Sequence, residues 1–191
     1  MEELSAKEKI IETTRKMIEE EGYNNLNVNK IAKEAGVAIG TLYWHFKRGK
    51  PSILKEIVRK GYTDFLDDSI LENINKDSFS KFIREFINKY IKQHQENRRL
   101  IIAVEYALLE NQTLFEDVDY IRDELKLIDT VSKVIKKIDG DNKKDIYSLS
   151  KFIIYSLDCI VHRQVIYGDI VEDIDDLTDY LLEFVLKFIN H

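Results

Sequence analysis

Thr41, Tyr43, Trp44 and His45 fall within five residues, and three cations, Lys47, Arg48 and Lys50, follow at once. Hydroxyl, phenol, indole and imidazole groups beside positive charge are the side chains that meet phosphates and base edges. Just before them stand Ala38 and Ile39, whose apolar groups suit thymine methyls in a major groove. A second polar set, Asn27, Asn29 and Lys30, opens a short helical pattern, where side chains and a helix N-terminus together can hold phosphates. Chemistry of other kinds is poorly supplied. Cys159 and His162 lie three apart on a helical pattern, a spacing better explained by a small buried thiol beside a histidine than by a nucleophile and its base. No glycine-rich phosphate loop, H-E-x-x-H, paired cysteines or nucleophile elbow occurs, so no enzyme is expected. One cysteine and four histidines are few for a metal sensor, and neither a metal nor another cofactor is expected.

The elements that position the first group are legible in Leu26–Phe46. Val28, Ile31, Ala32 and Ala35 recur at spacings of three, four and seven, the period of a helix with one buried face. Gly36 follows, where a helix that stops and turns needs a residue free to adopt positive φ. Val37, Leu42 and Phe46 then face inward on a second short helix. Thr41, Tyr43, Trp44 and His45 are left outward or to the flank, with one of Trp44 and His45 toward the backbone and the other toward the core. Two short helices around a glycine turn make a helix-turn-helix. Ahead of it, Ser5 with Glu8 three residues on forms a capping-box pattern, Ile10, Ile11, Met17 and Ile18 line one helical face, and Gly22 ends that helix. Asn27 is the expected N-cap of the next.

Charge is distributed to match. The chain totals −6, yet residues 24–50 carry five cations against Glu34 alone, a net of +4 that leaves −10 for the remainder. Phosphate contacts depend on nearby charge, because salt screens exposed charges beyond about 10 Å. A local basic face on an acidic body therefore suffices for DNA.

The segments Ile10 to Gly22 and IAKEAGVAIGTLYWHFK, from Ile31 to Lys47, resemble the TetR (AcrR-like) family of transcriptional repressors. The signature covers the first quarter of the chain, and beyond it the helical pattern and length agree. Two positions depart from it. Ala38 stands where the family has serine or another polar cap, and Gly49 looks like one extra residue before the next helix. The resemblance implies that Thr41 and Tyr43 touch phosphates or base edges and that Lys50 meets a phosphate. It also implies a ligand pocket among the middle helices, with a pendulum motion of the fourth helix that spreads two DNA heads.

The rest of the chain reads as helices. Proline occurs once, at Pro51, suited to a first helical turn, and apolar spacings of three and four continue throughout. Helices are expected from Pro51 to about 69, from 77 or 78, over 97–110 and 115–138, and as a final pair, with a loop around Gly140. The fold expected is all-α: an N-terminal three-helix helix-turn-helix domain over 1–50 joined to a helical effector-binding and dimerisation domain over 51–191. The last two helices are apolar over wide arcs and so need cover on two sides. A twofold copy supplies it, through Phe152, Leu157, Ile160, Leu181, Phe184, Val185 and Phe188. An effector pocket would draw on Tyr62, Phe65, Phe86, Tyr90, Glu105, Tyr106, Tyr120, Tyr155 and Cys159, although an aromatic stripe is more often core. Glu105 sits in an apolar run and calls for a partner, for which His162 and Arg163 are candidates.

The function expected is a ligand-responsive repressor that binds a palindromic double-stranded operator as a homodimer and is released by a hydrophobic small molecule, a fatty acyl compound or an aromatic one. The competing readings are a constitutive DNA-binding dimer and an activator, neither with an effector. A single cysteine, a charged N-terminus and the lack of any run of ~20 apolar residues point to the cytoplasm rather than a membrane or an oxidising compartment.

Overall fold

The computed structural model describes residues 4–65, 74–75, 78–110, 118–139 and 145–190, with side chains excepted at 61–65, 118–124, 139 and 190. Among them are nine α-helices and no strand: α1 Ala6–Glu21, α2 Val28–Glu34, α3 Ile39–His45, α4 Lys50–Phe65, α5 Phe79–Glu96, α6 Arg98–Glu110, α7 Val118–Asp139, α8 Ile146–Tyr167 and α9 Ile174–Asn190. A single 3-10 turn, Tyr23–Asn25, joins α1 to α2. The all-helical expectation holds, and the helix boundaries agree within a few residues. The expected loop around Gly140 and the end of α4 beyond Phe65 lie outside the described residues.

The helices sort into two compact units, the described residues of Met1–Phe65 with Arg99–Ile121, and those of Leu66–Arg98 with Arg122–His191. In the first, Ile10 and Ile18 of α1, Ile31 of α2, Leu42 of α3 and Ile53 and Leu54 of α4 are fully buried together. Ala103 and Ala107 of α6 join the same core. These small residues let the backbone of α6 approach the head closely. Four helices of the N-terminal segment and α6 thus share one apolar centre.

Helix ends are fixed by local side chains. The Ser5 hydroxyl accepts from Glu8 N–H while Glu8 Oε2 accepts from Ser5 N–H at 2.9 Å, the reciprocal box that its sequence pattern announced. Asn27 Oδ1 accepts from Lys30 N–H at 2.9 Å at the start of α2. Asp145 does the same for Ser148 at the start of α8.

In the second unit α5 packs against α8 and α9. Phe79, Ile135, Ile138, Ile146, Ile153, Val185 and Ile189 are buried in one cluster there. Arg98 closes α8: its Nε donates to Val165 O at 2.9 Å and its Nη2 to Ile166 O at 2.7 Å. The last carbonyls of a helix lack intrahelical partners, and a cation beside them also opposes the helix dipole.

Candidate nucleic-acid interface

The turn between α2 and α3 is built from backbone bonds that only its glycine allows. Gly36 has φ +66°. Its N–H donates to Lys33 O at 3.1 Å and the Val37 N–H donates back to Ala32 O at 3.0 Å, a Schellman closure with a left-handed residue in the middle. Val37 is thereby carried over Ala32 and packs on the core. This pins the axis of α3 relative to α2 through hydrogen bonds rather than through side-chain packing alone.

Leu42 and Phe46 anchor α3 inward, both buried. Opposite them the helix is open. Ala38, Ile39 and Gly40 are exposed, Tyr43 is 45% exposed and Trp44 is 75% exposed. Thr41 and His45 are half-buried at the flanks, and the His45 ring lies edge-on to Trp44 at 4.5 Å between centroids. Of the two, Trp44 is the one that projects outward, and His45 is the more buried, its ring 6.2 Å from that of Phe46. An indole held this far out gains nothing from folding and remains available to a partner surface.

The cations divide by their attachments. Lys47 and Arg48 are exposed beside the exit of α3. Lys30 is ion-paired with Glu21, so it reaches a phosphate only in competition with that carboxylate. The Lys50 ammonium donates to Tyr23 O at 3.3 Å and lies 4.6 Å from the centre of the Tyr23 ring. Burial, with the nearby Glu110 and Tyr106, pushes the Tyr23 phenol up to about 12, so that ring stays neutral under Lys50. Asn29 is exposed on the first turn of α2, while the Asn27 side chain is used as the cap. Ala38 supplies no side-chain cap to α3, and the turn is closed by its carbonyl alone, which accepts from Thr41 and Leu42 N–H at 2.9 and 3.2 Å. Gly49 is a turn residue with φ +64°, and its carbonyl accepts from Ile53 N–H at 3.2 Å to begin α4.

A family model for bacterial regulatory proteins of the tetR family matches residues 10–57, which is α1 through the first half of α4. Over these residues the chain is similar to the TetR family. It is 28% identical over 172 residues to the fatty acid metabolism regulator protein of Bacillus subtilis, covering 86% of this chain and 79% of that one. Among solved structures it shares its fold with the fatty acid degradation regulator FadR of Bacillus halodurans, at TM-score 0.70 and 22% identity over 97% of both chains. FadR of Bacillus subtilis, solved in complex with stearoyl-CoA, aligns at TM-score 0.67 and 24% identity over 93% of this chain and 96% of that one. No described helix is long and apolar enough to cross a membrane.

The residues expected to hold an effector are divided between the two units. Glu105 and Tyr106 lie on α6 in the first unit, where the Tyr106 ring meets the Tyr23 ring edge-on at 6.4 Å. Phe86, Tyr90, Tyr155 and Cys159 lie in the second unit. Phe86 and Tyr90 stack along α5 at 6.2 Å with rings 6° from parallel. Tyr155 and Cys159 are exposed, which corrects the reading of Cys159 as a buried thiol. The side chains of Tyr62, Phe65 and Tyr120 lie outside the described residues. Arg163 pairs with Asp169, and His162 Nε2 lies 3.4 Å from Asp158 Oδ1, so both expected partners of Glu105 have carboxylates in their own unit. A depression of about 310 Å³ along α1 and α4, lined by Lys7, Glu8, Glu12, Glu56, Arg59 and Lys60 among others, is charged and contains none of the expected effector residues.

The expected dimer residues separate more cleanly. Phe152, Phe184 and Phe188 form one aromatic cluster across α8 and α9, with centroids 4.9–6.1 Å apart, and Phe152 is 50% exposed. Leu157 and Ile160 are half-buried on α8. Leu181 and Val185 are corrected: both are buried within the protomer. They lie on the arc of α9 that packs inward.

One group went unnoticed in the sequence. His94 of α5 and Asp158 and His162 of α8 bring their ligand-capable atoms within 4.8 Å of one another. Only the Asp158–His162 pair, four residues apart, is local, and 64 residues separate His94 from Asp158.

Proposed function

We propose that the protein is a repressor that binds a palindromic operator as a homodimer and leaves it when a long-chain fatty acyl compound binds. The observation that carries the reading is the open face of α3, where Ile39, Tyr43 and Trp44 project beside Lys47 and Arg48 on a helix locked by the Gly36 turn. A rigid, half-apolar and locally cationic helix of two turns fits a major groove, with aromatic and methyl groups toward bases and cations toward phosphates.

Two copies are needed because a seven-residue helix reads only a few base pairs. A twofold pair presents two such helices about 34 Å apart, one turn of duplex. The Phe152–Phe184–Phe188 cluster supports the seam, since its partly exposed rings lie together on the last two helices. The acyl assignment is supported by the similarity to a fatty acid metabolism regulator over 79% of its length. An effector releases DNA only to the extent that it binds the DNA-incompetent arrangement more tightly, and a coupling of about 1–3 kcal/mol weakens binding roughly 5- to 150-fold.

The test is fluorescence anisotropy of an operator duplex titrated with the protein, repeated with a long-chain acyl-CoA, a free fatty acid and a planar aromatic cation. The proposal expects the acyl-CoA to lower operator affinity by at least about tenfold. Equal operator affinity in all four conditions would favour a constitutive DNA-binding dimer.

A further inference from the structure

We propose that His94, Asp158 and His162 form a binding site for one divalent transition-metal ion of the zinc class, which straps α5 to α8. Two imidazoles and one carboxylate make a donor set suited to zinc, nickel or cobalt and poorly suited to magnesium or calcium, which prefer oxygen alone. Asp158 and His162 are one helical turn apart, on the same face of α8, and α5 sets the His94 ring opposite them with 5.2 Å between the two imidazole centroids. Tetrahedral metal bonds of about 2.0–2.2 Å place two donors about 3.3–3.6 Å apart. From separations of up to 4.8 Å the side chains close by at most about 1.5 Å, within the reach of χ rotations on two adjacent helices.

The surroundings of the three groups point the same way. His94 Nδ1 lies 2.8 Å from Tyr90 O. A carbonyl only accepts, so Nδ1 carries the proton and Nε2 keeps its lone pair. A backbone carbonyl that fixes the tautomer in this manner is a recurring companion of metal-bound histidine. Tyr90 supplies a second such support, because its hydroxyl donates to Asp158 Oδ1 at 2.5 Å and orients the carboxylate. Side-chain exposure of 33% at Asp158 and 19% at His162 leaves a path for the ion and room for a water at the fourth position. All four residues belong to the second unit, and the inference stands apart from the DNA-reading proposal.

Calorimetric titration of Zn²⁺ into the EDTA-stripped full-length protein tests it. One ion per chain is expected, and at a hundredfold excess over Kd the thermal midpoint should rise by about 5–10 °C. Co²⁺ in place of Zn²⁺ should give d–d absorption in the visible that Zn²⁺ abolishes, a readout needing no variant. His94→Ala and His162→Ala should each weaken binding more than tenfold, and Tyr90→Phe roughly tenfold through the lost support. His45→Ala and Cys159→Ser should leave affinity unchanged. The proposal is overturned by wild-type affinity weaker than about 100 μM, by absence of the cobalt spectrum, or by binding that survives both histidine variants.

Discussion

Gly49 and Val28 approach so closely that a Cβ built on Gly49 would lie 2.9 Å from Val28 Cγ1. The same Cβ would lie 3.9 Å from Cε1 of Tyr43. The extra residue in the loop between α3 and α4 is thus the point where α2, α3 and the start of α4 are drawn together, and its φ of +64° is one that side chains resist.

Gly49→Ala should therefore be strongly destabilising for an exchange of one methyl group. Valine is stiff at χ1 and cannot swing aside cheaply, and the left-handed backbone adds about 1–2 kcal/mol. A combined loss of about 2 kcal/mol would lower the thermal midpoint by roughly 4–8 °C in a chain of this size. Calorimetry of the variant checks it, and an unchanged midpoint would show that the loop opens freely.

Neighbouring positions on α3 should behave in opposite ways. Tyr43→Ala and Trp44→Ala remove exposed rings, so operator affinity should fall at least about tenfold, equivalent to 1.4 kcal/mol, with the thermal midpoint nearly fixed. Leu42→Ala empties a fully buried site and should lower stability by about 2–5 kcal/mol. Anisotropy paired with thermal melts separates the cases. Unfolding of the Trp44→Ala variant would mean that the indole packs on the protein rather than facing DNA.

What the sequence showed here was local. The Ser5–Glu8 box, the Asn27 cap and the Gly36 turn each depend on residues within five of one another, and spacing alone reveals them. The buried side of α3 was readable because Leu42 and Phe46 stand four apart. Trp44 was not, since a seven-residue helix has two flanks and an aromatic ring suits either. In α9 apolar residues occupy most of the circumference, so the pattern could not tell Val185, which is buried, from Phe188, which is partly exposed. The triad of His94, Asp158 and His162 depends on how α5 meets α8, a tertiary relationship that no periodicity encodes.

Salt dependence should rank the cations by their attachments. Each phosphate contact contributes about 0.9 to the slope of log affinity against log salt, so Lys47→Gln or Arg48→Gln in both protomers should reduce it by about 2. Lys30→Gln should reduce it less, because Lys30 is already paired with Glu21. Binding isotherms from 50 to 300 mM salt (roughly the range where such slopes are linear) decide this. An equal effect at all three positions would show that the Glu21 pair breaks on binding.

Glu56 should give the first unit an acid-sensitive joint. Burial pushes its carboxyl up, but hydrogen bonds from Arg59 at 2.8 Å and Lys7 at 2.7 Å outweigh that and hold it below the usual 4.5. A group lowered on folding stabilises the native state above its unfolded value, and that contribution disappears as pH falls past 4.5 toward the folded one. Melts between pH 7 and 3 should show this loss in the wild type and a flatter profile for Glu56→Gln, which starts lower at pH 7. Parallel profiles would remove Glu56 from the joint.

The account depends most on α3 being presented twice, in fixed relation, to a duplex. Selection of bound sequences from a random double-stranded pool measures that directly. It should enrich a site with two inverted half-sites whose centres are about one helical turn apart or somewhat further, and enrichment should vanish with Tyr43→Ala. Recovery of a single unrepeated half-site, or of no sequence at all, would contradict it.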